Sequence, residues 1–272
     1  MTPGGGRSAS GSHLPVRDVD RATPLVYGPV DSLRFGRSLG INLLPEGLRL
    51  CNFDCLYCQC AGKRSNRRER DDPPFPTLDA LERELSRALA ADPLVDDVCF
   101  AGAGEPTLHP EFREALLLAR ALRDELAPRA TVTVLSNGTA AGRPDVRAAL
   151  ALADRAVVKL DAVDDDVWRW LDRPPSGLVP RRLVKTFAEM IGLETQTMLV
   201  RGPVDNATPE ALDALGDALR FIFPRRAHLG TITRRPAVEP VDDRLTPLEP
   251  AELEFAAARV RRRARGVDVR VY

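Results

Sequence analysis

Four of the five cysteines of this chain lie within ten residues, in the segment CNFDCLYCQC. Cys51, Cys55 and Cys58 follow the spacing C-x3-C-x2-C, Cys60 lies two residues further on, and Cys99 stands alone. So compact a group, in a chain of 272 residues with an odd number of cysteines, argues against a disulfide framework. Because thiolates are soft ligands, the loop indicates a site for zinc, copper(I) or an iron–sulfur cluster.

The number of thiolates favours an iron–sulfur cluster over structural zinc. Structural zinc takes four ligands, usually from two separated pairs, and the chain has no second C-x2-C pair and only three histidines, His13, His109 and His228. Three thiolates leave one iron of a [4Fe–4S] cluster open, as a catalytic metal site requires. Cys60 is an alternative fourth ligand, and a zinc knuckle or ordinary buried thiols are the alternatives without catalysis.

Overall composition excludes several classes of protein. Hydrophobic residues make up 44% of the chain and charged residues 29%, which is typical of globular proteins. The 39 basic and 39 acidic residues balance, which argues against a protein that coats nucleic acid or a membrane by bulk charge. No apolar run reaches the roughly 20 residues of a membrane span, and the N-terminus lacks the apolar core of a signal peptide. We therefore expect a cytoplasmic protein with reduced thiols and no membrane partner.

Short apolar runs alternate with helical patterns along most of the chain. Residues 1–24, rich in Gly, Ser, Pro and Arg, predict a flexible N-terminal tail, and residues 25–272 predict one domain that includes a C-terminal helix. The patterns predict strands over 38–44, 97–101, 131–135, 156–160, 196–200, 228–233 and 267–272, and helices over 77–91, 110–127, 144–153, 180–191, 209–220 and 250–265. About six β–α units imply parallel strands with right-handed crossovers, too few to close an eight-stranded barrel. The sequence therefore predicts an α/β fold, a partial and open (β/α)6 barrel of the TIM type.

Candidate binding residues follow these predicted strands, because chemistry in parallel α/β folds gathers at the carboxyl ends of strands. Glycines in the segment AGAGEPT (101–107) leave backbone groups open to a ligand. Ser136 and Asn137 can hydrogen-bond hydroxyl groups, although Asn-Gly is also a good turn. Lys159 and Asp161 share one face of a strand, either as ligand contacts or as a structural ion pair.

The cysteine loop, with Tyr57 just before its last cysteine, resembles the cluster loop of the radical S-adenosylmethionine (SAM) enzymes. In that family three cysteines hold a [4Fe–4S] cluster, and SAM chelates the open iron through its amino and carboxylate groups. The resemblance implies that Cys51, Cys55 and Cys58 are the ligands and that the barrel is of the radical SAM type. Segment 101–107 resembles the family's Gly-Gly-Glu-Pro segment, with Ala103 in place of one glycine.

The same resemblance implies a set of residues that bind the cofactor. They are Tyr57, Gly102, Ala103, Gly104, Glu105, Pro106, Ser136, Asn137, Lys159, Asp161 and Met198. No catalytic residue is assigned beyond the cluster, and the candidates are Lys159, Asp161 and His228. The implied reaction is the reductive cleavage of SAM to a 5′-deoxyadenosyl radical, which abstracts hydrogen from a substrate. The implied electron donor is a protein such as flavodoxin or ferredoxin.

Residues 27–40 resemble the opening segment of one subgroup, the tRNA wybutosine-synthesis enzymes and, more distantly, the activating enzymes of glycyl-radical proteins. Relatives carry Pro-Ser-Arg-Arg-Leu-Gly where this chain has Asp-Ser-Leu-Arg-Phe-Gly over 31–36, and the chain lacks the N-terminal cysteines of the tRNA enzymes. Two basic stretches favour tRNA or a protein as substrate, namely Lys63, Arg64, Arg67, Arg68 and Arg70, and Arg259, Arg261, Arg262, Arg263 and Arg265. The alternatives are the same chemistry on a small metabolite, or a non-catalytic zinc- or cluster-binding module.

Overall fold

One eight-stranded sheet frames the described part of the computed structural model, which covers residues 23–60, 63–66, 69, 72–234, 236–237 and 245–272. The predicted tail, except for its last two residues, lies outside these ranges. The strands of this sheet are β1 (Val26–Ser32), β2 (Gly36–Ile41), β5 (Asp97–Phe100), β6 (Thr131–Ser136), β7 (Arg155–Lys159), β8 (Glu194–Leu199), β9 (Arg226–Thr231) and β10 (Val269–Val271). Two further strands, β3 (Leu48–Leu50) and β4 (Lys63–Ser65), pair with each other.

The order of the strands confirms the predicted fold. Six of them, β2 and β5 to β9, pair in parallel and in the order of the sequence. β10 extends this set in parallel with β9, whereas β1 folds back antiparallel on β2. The sheet therefore has β1 and β10 at its two edges, and it curls into a partial (β/α)6 barrel rather than a closed one.

Helices alternate with the strands of the barrel. Their bounds are α1 (Leu78–Ala91), α2 (Phe112–Leu126), α3 (Pro144–Leu150), α4 (Asp165–Asp172), α5 (Pro180–Ala188), α6 (Pro209–Ile222) and α7 (Pro250–Arg263). Thr77 caps α1 as the sequence predicts, since its Oγ1 accepts a hydrogen bond from the amide of Ala80 at 3.2 Å. The eight-residue helix α4 is not among the predicted elements. Within the described ranges, no helix is both long enough and apolar enough to cross a membrane.

Alternate residues of each strand separate the core from the barrel lumen. In β5, Val98 and Phe100 belong to the core under the helices, and the ring of Phe100 contacts Phe112 of α2 at 6.2 Å. Asp97 points the other way, and its carboxylate accepts hydrogen bonds from Ser38, Thr131 and Thr133 of neighbouring strands. Hydrophobic burial therefore stabilises the outer layer, and the lumen is left polar.

Candidate active site

The cysteine loop follows β3 and is fixed to its surroundings by the backbone. The amide of Cys51 donates to the carbonyl oxygen of Ser65 at 3.0 Å, beside β4. The amides of Asp54 and Leu56 donate to the carbonyls of Asp172 and Leu171 at 3.1 and 2.9 Å, at the end of α4. The loop is thus anchored on both sides, which orders its backbone before any metal binds.

All five cysteines are free thiols, and the four in the loop are half-buried. Burial raises the pKa of Cys51 to about 12, and it also raises the pKa of Cys55. Hydrogen bonding with Cys60, with a further contribution from Arg49, lowers the pKa of Cys58 to about 6. Cys58 is therefore the thiol of the loop that ionises most readily.

The chemistry around the sulfur atoms fits an iron–sulfur cluster. The amide of Phe53 and Nδ2 of Asn137 donate hydrogen bonds to Sγ of Cys51 at 3.4 and 3.6 Å, and such donors stabilise thiolate ligands. Among the described residues, no three His, Cys, Asp or Glu side chains already surround one metal position. A [4Fe–4S] cluster receives each thiolate at a different iron, so its ligands need not surround one point.

The segment after β5 packs directly against this loop. Sγ of Cys60 donates to the carbonyl oxygen of Gly102 at 3.1 Å, and the amide of Ala103 donates to Oδ1 of Asn42 at 3.0 Å. A Cβ atom at position 102 would lie 2.3 Å from Oδ1 of Asn42, so packing itself requires glycine there. Asn42 is not among the residues predicted from the sequence, although it follows β2 just as the other candidates follow their strands.

Glu105, Ser136 and Asn137 bond to one another across the ends of β5 and β6. The buried carboxylate of Glu105 accepts hydrogen bonds from Oγ of Ser136 at 2.8 Å, from the amide of Asn137 at 2.6 Å, and from Thr107. Burial raises the pKa of Glu105 despite these bonds. Asn137 continues the network to Asn52 of the cysteine loop, at 2.6 Å. The structure thus brings three sequence motifs together, and Glu105 joins the two strand ends.

Lys159 and Asp161 lie in a buried charge cluster beside Cys55. Nζ of Lys159 forms ion pairs with Asp161 and with Asp172, the latter at 2.9 Å, and it lies 4.2 Å from the ring centroid of Tyr57. The hydroxyl of Tyr57 donates to Asp161. Burial raises the pKa of Asp172 to about 7, whereas the two carboxylates, acting against burial, hold the pKa of Lys159 well above its usual range. Lys159 is therefore a fixed cation.

Asp161 also positions β8. Its Oδ1 accepts a hydrogen bond from the amide of Met198 at 2.9 Å. Asn206, which is not among the residues predicted from the sequence, donates to the carbonyl oxygens of Asp161 and Met198 at 2.9 and 2.8 Å. The amide of Val200 donates to Oδ1 of Asn206 at 2.8 Å. A short polar side chain between two strand ends gives only a weak signal in the local sequence. One partner of Asn206, Asp161, is 45 residues away along the chain.

His228 lies among polar residues of the lumen. Its Nε2 contacts Oε2 of Glu194 at 2.6 Å, and Glu194 also pairs with Arg155. Burial lowers the pKa of His228. Its ring contacts the rings of Phe35 and Tyr272 at 6.1 and 5.2 Å. This surrounding holds the imidazole in place as a partner of Glu194.

One cavity of about 590 Å³ joins these groups. Its lining includes five of the sequence-predicted residues, namely Tyr57, Lys159, Asp161, Met198 and His228. It also includes residues of β1 and of the β1–β2 turn, among them Arg34. The segments 102–106 and 136–137 are not part of this lining, since they pack against the cysteine loop. The cavity thus extends from the cysteine loop into the lumen of the open barrel.

Comparison with known proteins identifies the family. The model of the radical SAM superfamily matches residues 46–215, from just before β3 into α6, and so includes the whole cysteine loop. The UPF0026 protein slr1464 of Synechocystis sp. is 36% identical over 217 residues, which cover 78% of this chain and 76% of that protein. The GTPase Obg of Brachyspira hyodysenteriae is 28% identical over 222 residues. The match covers 80% of this chain but only 31% of the length of Obg.

A solved structure agrees in fold. The structure of TYW1 with a lysine-pyruvate adduct bound superposes with a TM-score of 0.59 at 15% identity, covering 83% of this chain and 73% of that one. At this identity the likeness concerns the fold. Because the family model covers more than half of the chain, and the cysteine loop lies within the match, the chain belongs to the radical SAM superfamily, and it is an enzyme whose cofactors are SAM and a [4Fe–4S] cluster.

Proposed function

We propose that this enzyme cleaves SAM reductively and directs the resulting radical at a substrate held in the lumen cavity. The observation that carries the proposal is that Tyr57 of the cysteine loop and Lys159 and Asp161 of the β7 end line the same cavity of about 590 Å³. A cavity that begins at the cysteine loop places a bound substrate next to the source of the radical. Enclosure by the barrel wall limits side reactions with water.

Cys51, Cys55 and Cys58 would hold the cluster, with Phe53 and Asn137 donating hydrogen bonds to the sulfur of Cys51. When bound, the cluster supplies one electron that breaks the C5′–S bond of SAM and gives methionine and a 5′-deoxyadenosyl radical. A one-electron donor protein, such as a flavodoxin or a ferredoxin, is the proposed reductant. Cys60 donates its hydrogen bond to Gly102, so we assign it to the wall of the site rather than to the ligands.

The strand ends would bind SAM beside the cluster. Backbone groups of Gly102, Ala103 and Gly104 are the proposed partners of its amino group, while Glu105 and Pro106 fix the direction of that segment. Ser136 and Asn137 hold the neighbouring strand end in place. In the cavity, the fixed cation Lys159 with its partner Asp161 binds polar groups of the cofactor, and Met198 packs against the adenine ring. We propose no role for His228 in hydrogen abstraction.

The described structure weakens the case for a large polyanionic substrate. On α7, Arg259 pairs with Asp213 at 2.7 Å, Arg263 pairs with the same carboxylate at 3.3 Å, and Arg261 pairs with Glu254 at 3.5 Å. Arg259 and Arg263 contact α6 through Asp213, Arg261 pairs within α7, and each of these three charges thus has an acidic partner. Of the other basic stretch, Arg67, Arg68 and Arg70 lie outside the described residues. The cavity is therefore the better guide to the substrate than the basic stretches.

Anaerobic reconstitution with iron and sulfide tests the proposed function. We expect the wild-type protein to bind about four irons per chain and to release 5′-deoxyadenosine from SAM when a reductant is added. Cys51→Ala, Cys55→Ala and Cys58→Ala should each lose both properties. Cys99→Ala, which changes a buried thiol of β5 outside the loop, is the matched control and should keep both.

Two results would contradict the proposal. One is stoichiometric zinc with no SAM cleavage, and the other is full cluster content in all three loop variants. A Cys60→Ala variant that loses the cluster would instead move Cys60 into the ligand set. Binding of tRNA that falls steeply with salt concentration would favour a tRNA substrate over a small one.

A further inference from the structure

Arg34 presents a positive charge without a counterion to the lumen cavity. It lies in the turn between β1 and β2, is half-buried and belongs to the cavity lining. Its Nη1 donates a hydrogen bond to Oε1 of Gln196 on β8 at 2.5 Å. In the described part of the chain, no carboxylate forms an ion pair with it. The guanidinium also lies over the face of Phe35, 4.8 Å from the guanidinium carbon to the ring centroid.

Two other positive groups of the lumen, Lys159 and Arg155, are neutralised within the protein. Lys159 pairs with Asp161 and Asp172, and Arg155 pairs with Glu194. Asp31 also lines the cavity, but it does not pair with Arg34. The carboxylate of Asp97, further down the lumen, accepts hydrogen bonds from three hydroxyl groups. Arg34 thus differs from Lys159 and Arg155, although all three lie on the lumen side of the barrel.

Removing a guanidinium from water without giving it an anion is unfavourable. Burial lowers the pKa of Arg34, against the influence of Cys99, Tyr272 and Asp97, which raise it. Phe35 lies between the guanidinium groups of Arg34 and Arg155, at 4.8 and 4.9 Å, and so fixes the tip of the turn. The guanidinium of Arg34 is therefore held in place at the cavity wall, as expected of a group that binds an anion.

We propose that Arg34 and Gln196 bind an oxyanion of the substrate, a carboxylate or a phosphate monoester, inside the lumen cavity. The guanidinium offers a planar fork of donors that matches either group. Gln196 uses Oε1 to accept from Arg34, so its Nε2 retains two hydrogens for the same anion. The volume of about 590 Å³ suits a small molecule or a single residue of a larger one. This inference rests on the proposed function only in identifying the cavity as the substrate site.

Binding of small probes to the reconstituted protein, without reductant, tests the proposal by calorimetry. The charged probes are propionate and methyl phosphate, and their neutral counterparts are propionamide and trimethyl phosphate. We expect a charged probe to bind and its neutral counterpart not to bind. Arg34→Gln should weaken that binding at least tenfold, a free-energy loss of about 1.4 kcal/mol. Preference for one charged probe identifies the substrate anion as a carboxylate or as a phosphate.

Two further variants separate binding from folding. Gln196→Glu places a carboxylate against Arg34, so it should also abolish probe binding while the melting temperature is unchanged or higher. Arg182→Gln removes an exposed arginine of α5 and is the matched control, with binding equal to that of the wild type. Equal binding of charged and neutral probes, or wild-type binding by both Arg34→Gln and Gln196→Glu, would overturn the proposal.

The outcomes also distinguish this inference from the proposed function. Suppose that the wild type binds the probe but never cleaves SAM, and that Arg34→Gln loses probe binding. That result would overturn the proposed function and leave the anion site standing. SAM cleavage by the wild type, with unchanged probe binding in Arg34→Gln, would overturn the anion site alone.

Discussion

Gly104 has a backbone φ of +143°, and a Cβ atom built at this position would lie 1.8 Å from the carbonyl oxygen of Leu50. The sequence motif assigns this glycine to cofactor binding, whereas the structure shows that contact with β3 already requires it. Both requirements act at the same place, because the residue that touches β3, just before the cysteine loop, belongs to the segment proposed to touch SAM. A lost activity at this position would therefore not by itself identify a ligand contact.

Gly104→Ala should lower the free energy of unfolding by about 3 kcal/mol, from backbone strain and overlap with Leu50. Gly142→Ala is the matched control, since a Cβ atom there meets nothing within 4 Å and its φ is not positive. The control should stay within about 1 kcal/mol of the wild type. Urea unfolding of the three proteins measures both values, and equal effects of the two substitutions would contradict the packing argument.

Residue chemistry made part of the site predictable. The three-thiol loop, the glycine segment and the alternation of Lys159 with Asp161 are local patterns, and each lies in the site region described above. The partners that arrive from elsewhere are not local. Asp172 belongs to a helix whose eight residues give too short a periodic pattern, and Arg34 reaches Gln196 across 162 positions of sequence. Such contacts depend on how the sheet curls, which no short window of sequence contains.

At the scale of elements, the β–α alternation was predictable because each parallel strand and helix repeats its own period of apolar residues. The elements that the pattern missed are short or polar. β3 and β4 have three residues each and pair across the cysteine loop, and β1 contains Gly-Pro with several exposed positions. Their stability comes from pairing with distant strands rather than from local propensity.

His109 connects the end of β5 to α2 and gives this junction a dependence on pH. Its Nδ1 accepts a hydrogen bond from the amide of Glu111 at 3.0 Å, and its Nε2 lies 3.0 Å from the carbonyl oxygen of Pro76. A ring that accepts at Nδ1 and donates at Nε2 is neutral. Burial lowers the pKa of His109, in agreement with this arrangement.

Acidification should therefore weaken the fold through this residue. Because the pKa of His109 is lower in the folded protein than in the unfolded chain, the unfolded chain takes up the proton first as the pH falls below about 6.5. Stability is fully present above that pH and is lost below it. Urea unfolding at two pH values, one above and one below, should show a smaller acid-induced loss for His109→Gln than for the wild type. An equal loss in both proteins would show that His109 contributes nothing.

At the scale of the whole molecule, the order of the sheet sets how stability is distributed. β6 and β7 lie in its interior with a parallel neighbour on each side, whereas β1 and β10 lie at the edges. β10 has three residues and pairs with β9 alone. Interior strands open only when the fold as a whole opens, and edge strands can open by themselves.

Hydrogen exchange monitored by mass spectrometry should follow this order. Amides of β6 and β7 should be the slowest to exchange, and those of β1 and β10 should exchange first. The β1–β2 turn, which carries Arg34, should gain protection when a charged probe binds in the cavity. Uniform protection across all strands would contradict the expected distribution.

If Arg34 binds the substrate anion as proposed, the β1–β2 turn sets what kind of selectivity this barrel has. Arg34 at the turn and Tyr57 of the cysteine loop line a single cavity, so one end would hold an anion and the other would supply the radical. Such a site binds the substrate at one end and reacts with it at the other, so the distance between the two ends is constant. It would select the hydrogen atom by its distance along the substrate from the charged group, so that homologous substrates of different length would react at different carbons.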